Sequence, residues 1–263
     1  SDTYYASIVE SLQTIYHLHF HYLWDIPEFV ESSLDYQVRI SGLEYPEVET
    51  FSEYFSIFNS SNSVIDIDGN IYNTVQIGDQ VWMAENLRVK RYKNGYPLKH
   101  YEDDTSWFDT YYGAYCHYDN DTTYFETYGL LYNWLAVDDY RMLAPTGWHV
   151  PTYEEWQILL ENLDGWQVAG GKMKTTGTLE QGDGLWHEPN TGATNESCMF
   201  IVPGGYRLFH GGCDEMGYQA AYWTSSEDSI FTAPYIKLYH DACEVHSYNQ
   251  TKCSGFSIRC LKD

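Results

Sequence analysis

The sequence is poor in basic residues and contains no long apolar run. Its 263 residues include 14 Lys and Arg against 38 Asp and Glu, so the formal net charge is −24. Such a chain is repelled by nucleic-acid phosphates and by anionic lipid surfaces. No stretch approaches the ~18 consecutive apolar residues that a membrane-spanning helix requires. We therefore expect no nucleic-acid partner and no membrane span, and the 43% hydrophobic content predicts a globular chain with a core.

Catalytic motifs are also lacking. The sequence has no Gly-x-Ser-x-Gly, no His-Glu-x-x-His and no phosphate-binding loop. Its many carboxylates could be paired as glycosidase catalysts in many ways, and nothing in the sequence selects one pair. We therefore predict a protein that is not an enzyme and has no cofactor and no metal site.

Cysteines are present, but not in a metal-binding pattern. No Cys-x-x-Cys pair occurs, which argues against a zinc ribbon or a thioredoxin-like motif. The first residues contain neither an initiator Met nor a leader-like segment, so we expect an already processed chain for which export is plausible. In an exported chain the cysteines are disulfide candidates whose pairing the sequence does not decide. They are Cys116, Cys198, Cys213, Cys243, Cys253 and Cys260.

Tyrosine is the commonest aromatic residue, with 26 Tyr beside 11 Phe and 9 Trp. A tyrosine offers a large flat contact surface with a polar tip at low entropic cost. This composition suits carbohydrate or protein recognition, and it equally suits a strand-rich extracellular protein with no such role. Both interpretations stay open at this point.

Residues 1–63 differ from the rest and are predicted to form an N-terminal arm and linker. They lack the Gly-rich turns found later and end in a polar cluster of Asn and Ser. A helical spacing fits Ile8, Leu12, Ile15, His19 and Leu23, but the alternation of His17, His19 and His21 with apolar residues fits a strand better, and we favour a strand after Thr14. Such a strand would place three imidazoles on one face, where they could bind a metal ion or simply face solvent. We favour the solvated face.

Residues 64–263 are predicted to form one α+β domain. Asp68-Gly69-Asn70 and Gly78-Asp79 are flanked by Ile and Val, which is typical of strands joined by tight hairpins. Apolar spacing predicts a helix over residues 127–137. Thr152-Tyr153-Glu154-Glu155 has the form of a capping box and predicts a second helix. Two short helices beside several short strands indicate the α+β class.

A series of short segments punctuates this second region. In order they are Ile65-Asp66-Ile67-Asp68-Gly69-Asn70, Val81-Trp82-Met83-Ala84-Glu85-Asn86-Leu87, Pro145-Thr146-Gly147-Trp148-His149-Val150-Pro151, Pro189-Asn190-Thr191-Gly192-Ala193-Thr194-Asn195-Glu196-Ser197, Pro203-Gly204-Gly205-Tyr206-Arg207, Tyr222-Trp223-Thr224-Ser225-Ser226-Glu227 and Gly255-Phe256-Ser257-Ile258-Arg259-Cys260-Leu261. Each alone could be an ordinary turn or strand. Together they resemble the Fibrobacter succinogenes major paralogous domain, a secreted module whose fold is similar to the C-type lectin fold.

The resemblance implies an extracellular or cell-surface location and a C-type lectin-like domain of two short helices and mixed short strands, preceded by the N-terminal arm. Members often carry a Cys at the position of Ala144 that can bridge to the residue matching Cys260, so this bridge is not expected here. The fold is shared with enzymes that convert a cysteine to formylglycine, which makes Cys253 and Cys260 candidate thiols. Their cationic neighbours in sequence support a lowered pKa only weakly, and we expect structural cysteines.

The triplet Glu188-Pro189-Asn190 matches the one by which calcium-dependent lectins of this fold hold Ca²⁺ and sugar hydroxyls. A complete site also needs a downstream Trp-Asn-Asp segment, and residues 222–226 do not provide it. We therefore expect no calcium site. Asn195 lies in a segment of the family type, and we expect its side chain to hydrogen-bond locally in a turn.

The C-terminal segment is where the resemblance places the ligand-binding face. Residues 208–222 and 228–251 interrupt the framework segments with aromatic and polar side chains, and some relatives have such a segment rewritten by diversity-generating retroelements. The alternative is that these are merely exposed strand and loop residues. The candidate ligand-binding residues are Phe209, His210, Asp214, Tyr218, Tyr222, Tyr235, Tyr239, His246, Tyr248 and Asn249.

Two functions follow from these observations. The first is a non-enzymatic extracellular or cell-surface recognition module that binds a glycan or a protein through its C-terminal segment. The second is a structural subunit of an extracellular fibre or surface layer, in which residues 1–60 insert as a strand into a neighbouring subunit. Such a head-to-tail contact propagates rather than closes.

Overall fold

The computed structural model describes residues 63–263 completely and, before them, four short strands. By its contacts the chain divides into two compact units, Ser1–Ser61 and Asn62–Asp263. In the first unit β1 (Ser33–Tyr36) pairs antiparallel with β4 (Phe55–Ile57), and β2 (Arg39–Ser41) pairs antiparallel with β3 (Glu49–Phe51). The strand predicted after Thr14, with His17, His19 and His21, lies outside the described residues.

The second unit begins with two antiparallel hairpins. β5 (Ser63–Ile65), β6 (Ile71–Ile77) and β7 (Gln80–Met83) pair in succession. In the first turn the Asp66 carboxylate accepts hydrogen bonds from the backbone N–H groups of Asp68 and Asn70. In the second turn Gly78 has a φ of 59°, a conformation that favours glycine. Both predicted hairpins are confirmed.

The remaining strands of this unit complete two sheets. They are β8 (Lys99–His100), β9 (Ala114–Cys116), β10 (Leu131–Asn133), β11 (Trp148–His149), β12 (Gly204–Arg207), β13 (Cys213–Met216), β14 (Gln219–Trp223), β15 (Thr232–Tyr239), β16 (Val245–Thr251), β17 (Gly255–Phe256) and β18 (Leu261–Lys262). The smaller sheet has the order β11-β18-β7-β6-β5. The larger has the order β16-β15-β14-β12-β17-β10-β9-β8, with β13 beside β12. The pairs β12 with β14 and β8 with β9 are parallel.

The helices of this unit are short. They are α1 (Asp104–Phe108), α2 (Phe125–Tyr128), α3 (Trp134–Val137), α4 (Tyr153–Asn162) and α5 (Ala169–Met173). At the start of α4 the Thr152 hydroxyl accepts a hydrogen bond from the Glu155 N–H at 3.1 Å, and the Glu155 carboxylate accepts one from the Thr152 N–H at 2.7 Å. The predicted capping box is therefore confirmed. None of the helices that the structure describes has the length and apolar character needed to cross a membrane.

The single helix predicted over residues 127–137 is wrong. The chain leaves α2 at Tyr128, forms strand β10 and only then enters α3. Within β10, Leu131 pairs with Cys116 and Tyr132 pairs with Phe256. The apolar residues are thus covered by strands on both sides. A short apolar run fits a buried strand as well as a helix, and its spacing does not separate the two.

The core is dominated by aromatic side chains. Six tryptophans are at most 1% exposed: Trp82, Trp107, Trp134, Trp156, Trp186 and Trp223. Buried indoles need an acceptor for their N–H group. Trp134 donates to the Thr224 carbonyl at 2.9 Å, and Trp223 donates to the Tyr132 carbonyl at 2.8 Å. The unit is an α+β fold in which short helices cover mixed sheets.

Candidate ligand-binding face

One face of the larger sheet, near its β16 edge, carries aromatic and cationic side chains. Along β15 the side chains of Ile236 and Leu238 are buried in the cluster that contains Trp156 of α4. Tyr235, Lys237 and Tyr239 alternate with these two residues and therefore point to the opposite face of the sheet, because side chains alternate along a strand. We call the following set the aromatic face: Tyr206 on β12, Tyr235, Lys237 and Tyr239 on β15, and His246 and Tyr248 on β16.

The strand register places these side chains beside one another. Tyr235 pairs with Tyr248, and Lys237 pairs with His246. The ring centroids of Tyr235 and Tyr248 are 6.0 Å apart, and those of Tyr239 and His246 are 5.4 Å apart. The rings of His246 and Tyr248 stack with their centroids 6.0 Å apart. Since Tyr248 is 45% exposed, the row presents ring surface to solvent.

Lys237 supplies the positive charge of the aromatic face. Its ammonium lies 4.8 Å from the ring centroid of Tyr239 and 5.4 Å from that of Tyr206. Burial lowers the pKa of Lys237, and the charge of Glu215 opposes this shift. The ammonium is therefore poorly solvated, and a polar ligand could contact it.

The tyrosine hydroxyls of the face are neutral hydrogen-bonding groups. Burial raises the pKa of Tyr235 to about 12 and also raises the pKa of Tyr206. For Tyr239, burial and a hydrogen bond with Tyr248 both raise the pKa. The hydroxyls of Tyr206, Tyr235 and Tyr239 therefore keep their protons at neutral pH and can donate as well as accept.

An open cavity adjoins the aromatic face. It has a volume of ≈ 440 Å³ and is lined by Tyr118, Asp214, Glu215, Met216 and Tyr218. Asp214 pairs with Tyr206 between β13 and β12, so the cavity and the face share a strand pair. Burial raises the pKa of Tyr118 to about 12, and its hydroxyl accepts a hydrogen bond from the Met216 N–H at 3.3 Å. The lining is thus aromatic and acidic.

Tyr218 is held in place by two histidines. Its ring stacks on His187 with the centroids 4.0 Å apart and meets His240 at 5.2 Å in an edge-on arrangement. The His187 ring in turn hydrogen-bonds the carboxylate of Glu180. Tyr218 remains 41% exposed, so a fixed ring faces the cavity.

The structure brings together six of the residues predicted to bind ligand. Tyr239, His246 and Tyr248 belong to the aromatic face, and Asp214 and Tyr218 line the cavity. Tyr235 lies in the same row but is itself only 7% exposed and packs on Phe256, so it supports the face rather than presenting ring surface. Three others lie elsewhere. Phe209 and His210 occupy the turn between β12 and β13, where Phe209 contacts Phe108 of α1. Asn249 is exposed on β16, and alternation directs its side chain away from that of Tyr248.

Tyr222 is a core residue and must be removed from the predicted ligand-binding set. It is fully buried, and its ring packs on Trp156 with the centroids 5.7 Å apart. Its hydroxyl donates to Asn86 Oδ1 at 3.0 Å. A ligand cannot reach this side chain without opening the core.

Sequence reasoning missed Tyr206, Lys237 and Tyr118. Tyr206 lies in a segment that we assigned to the framework, and Tyr118 lies far from the C-terminal segment. The alternation of Tyr235, Lys237 and Tyr239 along one strand was the signal that could have found the lysine.

Neither Cys253 nor Cys260 has the environment of a reactive thiol. Burial raises the pKa of both, whereas a nucleophilic thiolate needs a lowered one. Ala144 and Cys260 are buried in the same core cluster. All six cysteines lie in the described part of the chain, and all are free thiols.

The Glu188-Pro189-Asn190 triplet makes contacts within the fold. The Asn190 amide donates to the carbonyls of Thr175 at 3.0 Å and Gly177 at 2.9 Å. The predicted local role of Asn195 is confirmed, because its side chain accepts a hydrogen bond from the Phe200 N–H at 2.9 Å. Over residues 63–263 and the four strands before them, no group of three or more His, Cys, Asp or Glu side chains could hold a metal ion.

Comparison with known proteins identifies the family of the chain but no individual relative. The family model described as the Fibrobacter succinogenes major domain matches residues 75–262, which include the aromatic face and the cavity. No curated protein and no solved structure matches the chain. Since the family match spans well over half of the sequence, the chain belongs to the Fibrobacter succinogenes major domain family.

Proposed function

We propose that this protein is a non-enzymatic recognition module that binds a glycan or a protein at the aromatic face and the adjoining cavity. The observation that carries the proposal is the row of rings of Tyr239, His246 and Tyr248, fixed by the pairing of β15 with β16. Rings held on a sheet give a ligand a large contact area while little side-chain entropy is lost on binding.

The chemistry of the face suits a polyhydroxylated ligand. The C–H faces of a sugar ring would pack on the exposed tyrosine ring, and its hydroxyls would exchange hydrogen bonds with neutral tyrosine hydroxyls. Lys237 and the carboxylates of Asp214 and Glu215 add donors and acceptors at the side of the row. Such binding requires no Ca²⁺. A protein ligand would use the same rings as anchors.

We further infer a C-type lectin-like fold and an extracellular or cell-surface location. Membership of the family supports both, and the combination of mixed short strands with few short helices supports the fold. An antibody against the folded second unit should label intact cells of the source organism or detect the protein in their medium. Signal only after cell lysis would contradict the location.

Binding is tested with the full chain on immobilised glycans and on a display library of peptides, in buffer containing EDTA. For any ligand retained, Tyr248→Ala should weaken the affinity about fivefold or more, since a central ring anchor contributes over ~1 kcal/mol. Tyr111→Ala is the matched control, because Tyr111 is 91% exposed and lies outside the face. Equal losses in the two variants, or none in Tyr248→Ala, would contradict the proposal.

The alternative of a structural subunit stays a prediction. It depends on strand insertion by residues 1–60, most of which lie outside the described residues. Deleting this segment should convert any large assemblies of the full chain into monomers, as measured by light scattering at several concentrations. Assemblies that persist after the deletion would exclude strand insertion.

A further inference from the structure

Two of the free thiols share one packed cluster where β13 meets the segment after β9. Cys116 ends β9 and is fully buried, and Cys213 begins β13 and packs on the apolar cluster that contains Cys116 and Trp107. Strand register does not pair the two, because Cys116 lies opposite Leu131 and Cys213 lies opposite Arg207. The packing of the cluster brings the two residues together instead.

Further contacts hold the same two segments together. The backbone of Asp119 lies close enough to the Cys213 sulphur to help lower the pKa of that thiol, after the larger effect of Cys116. One residue earlier, the Tyr118 hydroxyl accepts a hydrogen bond from the Met216 N–H at 3.3 Å. The segment after Cys116 thus follows β13 over several residues, and the two sulphurs lie at one end of this contact.

A buried cation lies beside the sulphurs. The Arg207 guanidinium donates to the Tyr101 carbonyl at 2.9 Å and to the Asp104 carboxylate at 2.8 Å, and it lies 4.6 Å from the centroid of the Trp107 ring. Its Nε–H finds no nitrogen or oxygen acceptor among the described residues. The guanidinium also lies near the Cys116 sulphur. A cation in this position stabilises negative charge on sulphur.

The two thiols differ in reactivity and in access. A hydrogen bond from the Cys116 thiol lowers the pKa of Cys213, whereas burial raises the pKa of Cys116. Cys213 is also the partly exposed member of the pair. Cys213 is therefore placed to react first with a reagent from solvent, and Cys116 is placed to react with Cys213.

We propose that Cys116 and Cys213 form a disulfide bond when the protein meets a disulfide oxidant such as oxidised glutathione. The Cys213 thiolate attacks one sulphur of the oxidant, so that the S–S bond of glutathione breaks and one glutathione thiolate leaves. The Cys116 thiol then loses its proton to solvent and attacks the Cys213 sulphur, which releases the second glutathione. The protein loses two electrons and two protons, and the oxidant becomes two thiols.

The bond has a consequence for the cavity. β13 continues from Cys213 directly into Asp214, Glu215 and Met216, which line the cavity opposite Tyr118. A covalent link at the first residue of β13 fixes this wall. It also provides the chain with a long-range crosslink, whereas Ala144 cannot form a bridge to Cys260.

The test uses the full chain, incubated with oxidised glutathione or kept reduced, and then digested without reduction. Mass spectrometry of the oxidised sample should find one linked peptide pair containing Cys116 and Cys213, lighter than the two separate peptides by two hydrogen atoms. The melting temperature of the oxidised protein should exceed that of the reduced protein by several degrees, because the crosslink closes a long loop in the unfolded chain.

Cys213→Ser and Cys116→Ala should each abolish the linked peptides and the difference in melting temperature. If Cys116→Ala fails to fold, the partly exposed Cys213→Ser decides alone. Cys253→Ser is the matched control, since Cys253 is also partly buried and should leave both results unchanged. The proposal is overturned if Cys116 and Cys213 are both alkylated when the oxidised protein is denatured in the presence of a thiol reagent, or if the linked peptides contain other cysteines.

Discussion

Arg259 and Asn86 form a buried polar pair that joins early and late segments of the second unit. Nη2 and Nε of Arg259 donate to Asn86 Oδ1 at 2.9 and 3.1 Å. The same oxygen accepts the hydroxyl of Tyr222, and the guanidinium also donates to the Met83 carbonyl at 3.2 Å. Asn86 and Arg259 stand in two of the segments by which the family is recognised. Their occurrence together therefore has a physical reason, since each satisfies the other.

Removing the Asn86 side-chain amide should lower the stability of the fold substantially. Asn86→Ala leaves the Nε and Nη2 groups of Arg259 and the hydroxyl of Tyr222 without their main acceptor, and we expect a loss of about 3–5 kcal/mol in the free energy of unfolding. Denaturant titration of both proteins measures the difference. Asn94→Ala is the control, because Asn94 accepts only a local hydrogen bond from Tyr96 in an exposed turn. A loss below ~1 kcal/mol in Asn86→Ala would show that the pair is dispensable.

Alanine substitutions at Gly205 and Gly212 distinguish backbone strain at positive φ from steric clash of the added Cβ. Both have positive φ, +60° and +75°, so alanine at either position is strained by about 1 kcal/mol. A Cβ at Gly205 would lie 2.4 Å from the Asp214 carbonyl oxygen, whereas a Cβ at Gly212 would meet open space. Gly205→Ala should therefore lower the free energy of unfolding by about 1–3 kcal/mol more than Gly212→Ala. Equal losses would mean that β13 moves aside without strain.

Removing the capping box of α4 should lower the free energy of unfolding by a smaller amount. Thr152→Ala removes the hydroxyl that accepts from the Glu155 N–H, and it should lower the free energy of unfolding by about 1 kcal/mol. Thr176→Ala, at an exposed position, should stay within about 0.5 kcal/mol of the parent protein. Chemical denaturation monitored by circular dichroism distinguishes the two. Indistinguishable variants would show that α4 is held by packing alone.

His149 should make stability depend on pH. Partial burial opposes the charged ring, but hydrogen bonds with the Asp263 and Glu155 carboxylates outweigh it and raise the pKa of His149. A raised folded-state pKa stabilises the protein fully below the unfolded value of about 6.5, and the contribution is lost as the pH rises through the folded-state value. His149→Gln should therefore cost more at about pH 5.5 than at about pH 8.5, with a difference below ~1 kcal/mol because the ring is partly exposed.

Unfolding curves of the parent protein and His149→Gln at several pH values give this difference. Asp263→Asn should retain only part of the pH dependence, since it removes one of the two carboxylates that contact the ring. A cost of His149→Gln that is constant from acid to alkaline pH would contradict the assignment.

Features with local causes could be predicted from the sequence. The capping box at Thr152 and the turn at Gly78 depend on residues within a few positions of one another, so the residue types alone indicate them. The family was also recognisable, because its framework segments are short, ordered and numerous. Asn86 and Arg259 both lie in these segments, but the sequence does not show that they contact each other; the structure does.

Features with distant causes could not be predicted. Leu131 lies in a strand because Cys116 and Phe256 flank it, and an apolar run by itself does not reveal its neighbours. Tyr222 looked like a surface tyrosine, but its hydroxyl partner Asn86 stands 136 positions earlier. The aromatic face likewise arises from strand register, which sets which side chains meet.

Eight of the nine tryptophans lie in the second unit, and six of them are buried, so most of the tryptophan emission reports on this unit. The buried indoles are shielded from water, so they should emit at short wavelength and resist soluble quenchers. Opening of the core would expose them together, and their emission would then shift to the red in a single step if the unit unfolds cooperatively. A ligand that stacks on Tyr248 should leave this emission nearly unchanged, which allows binding and unfolding to be followed separately in one sample.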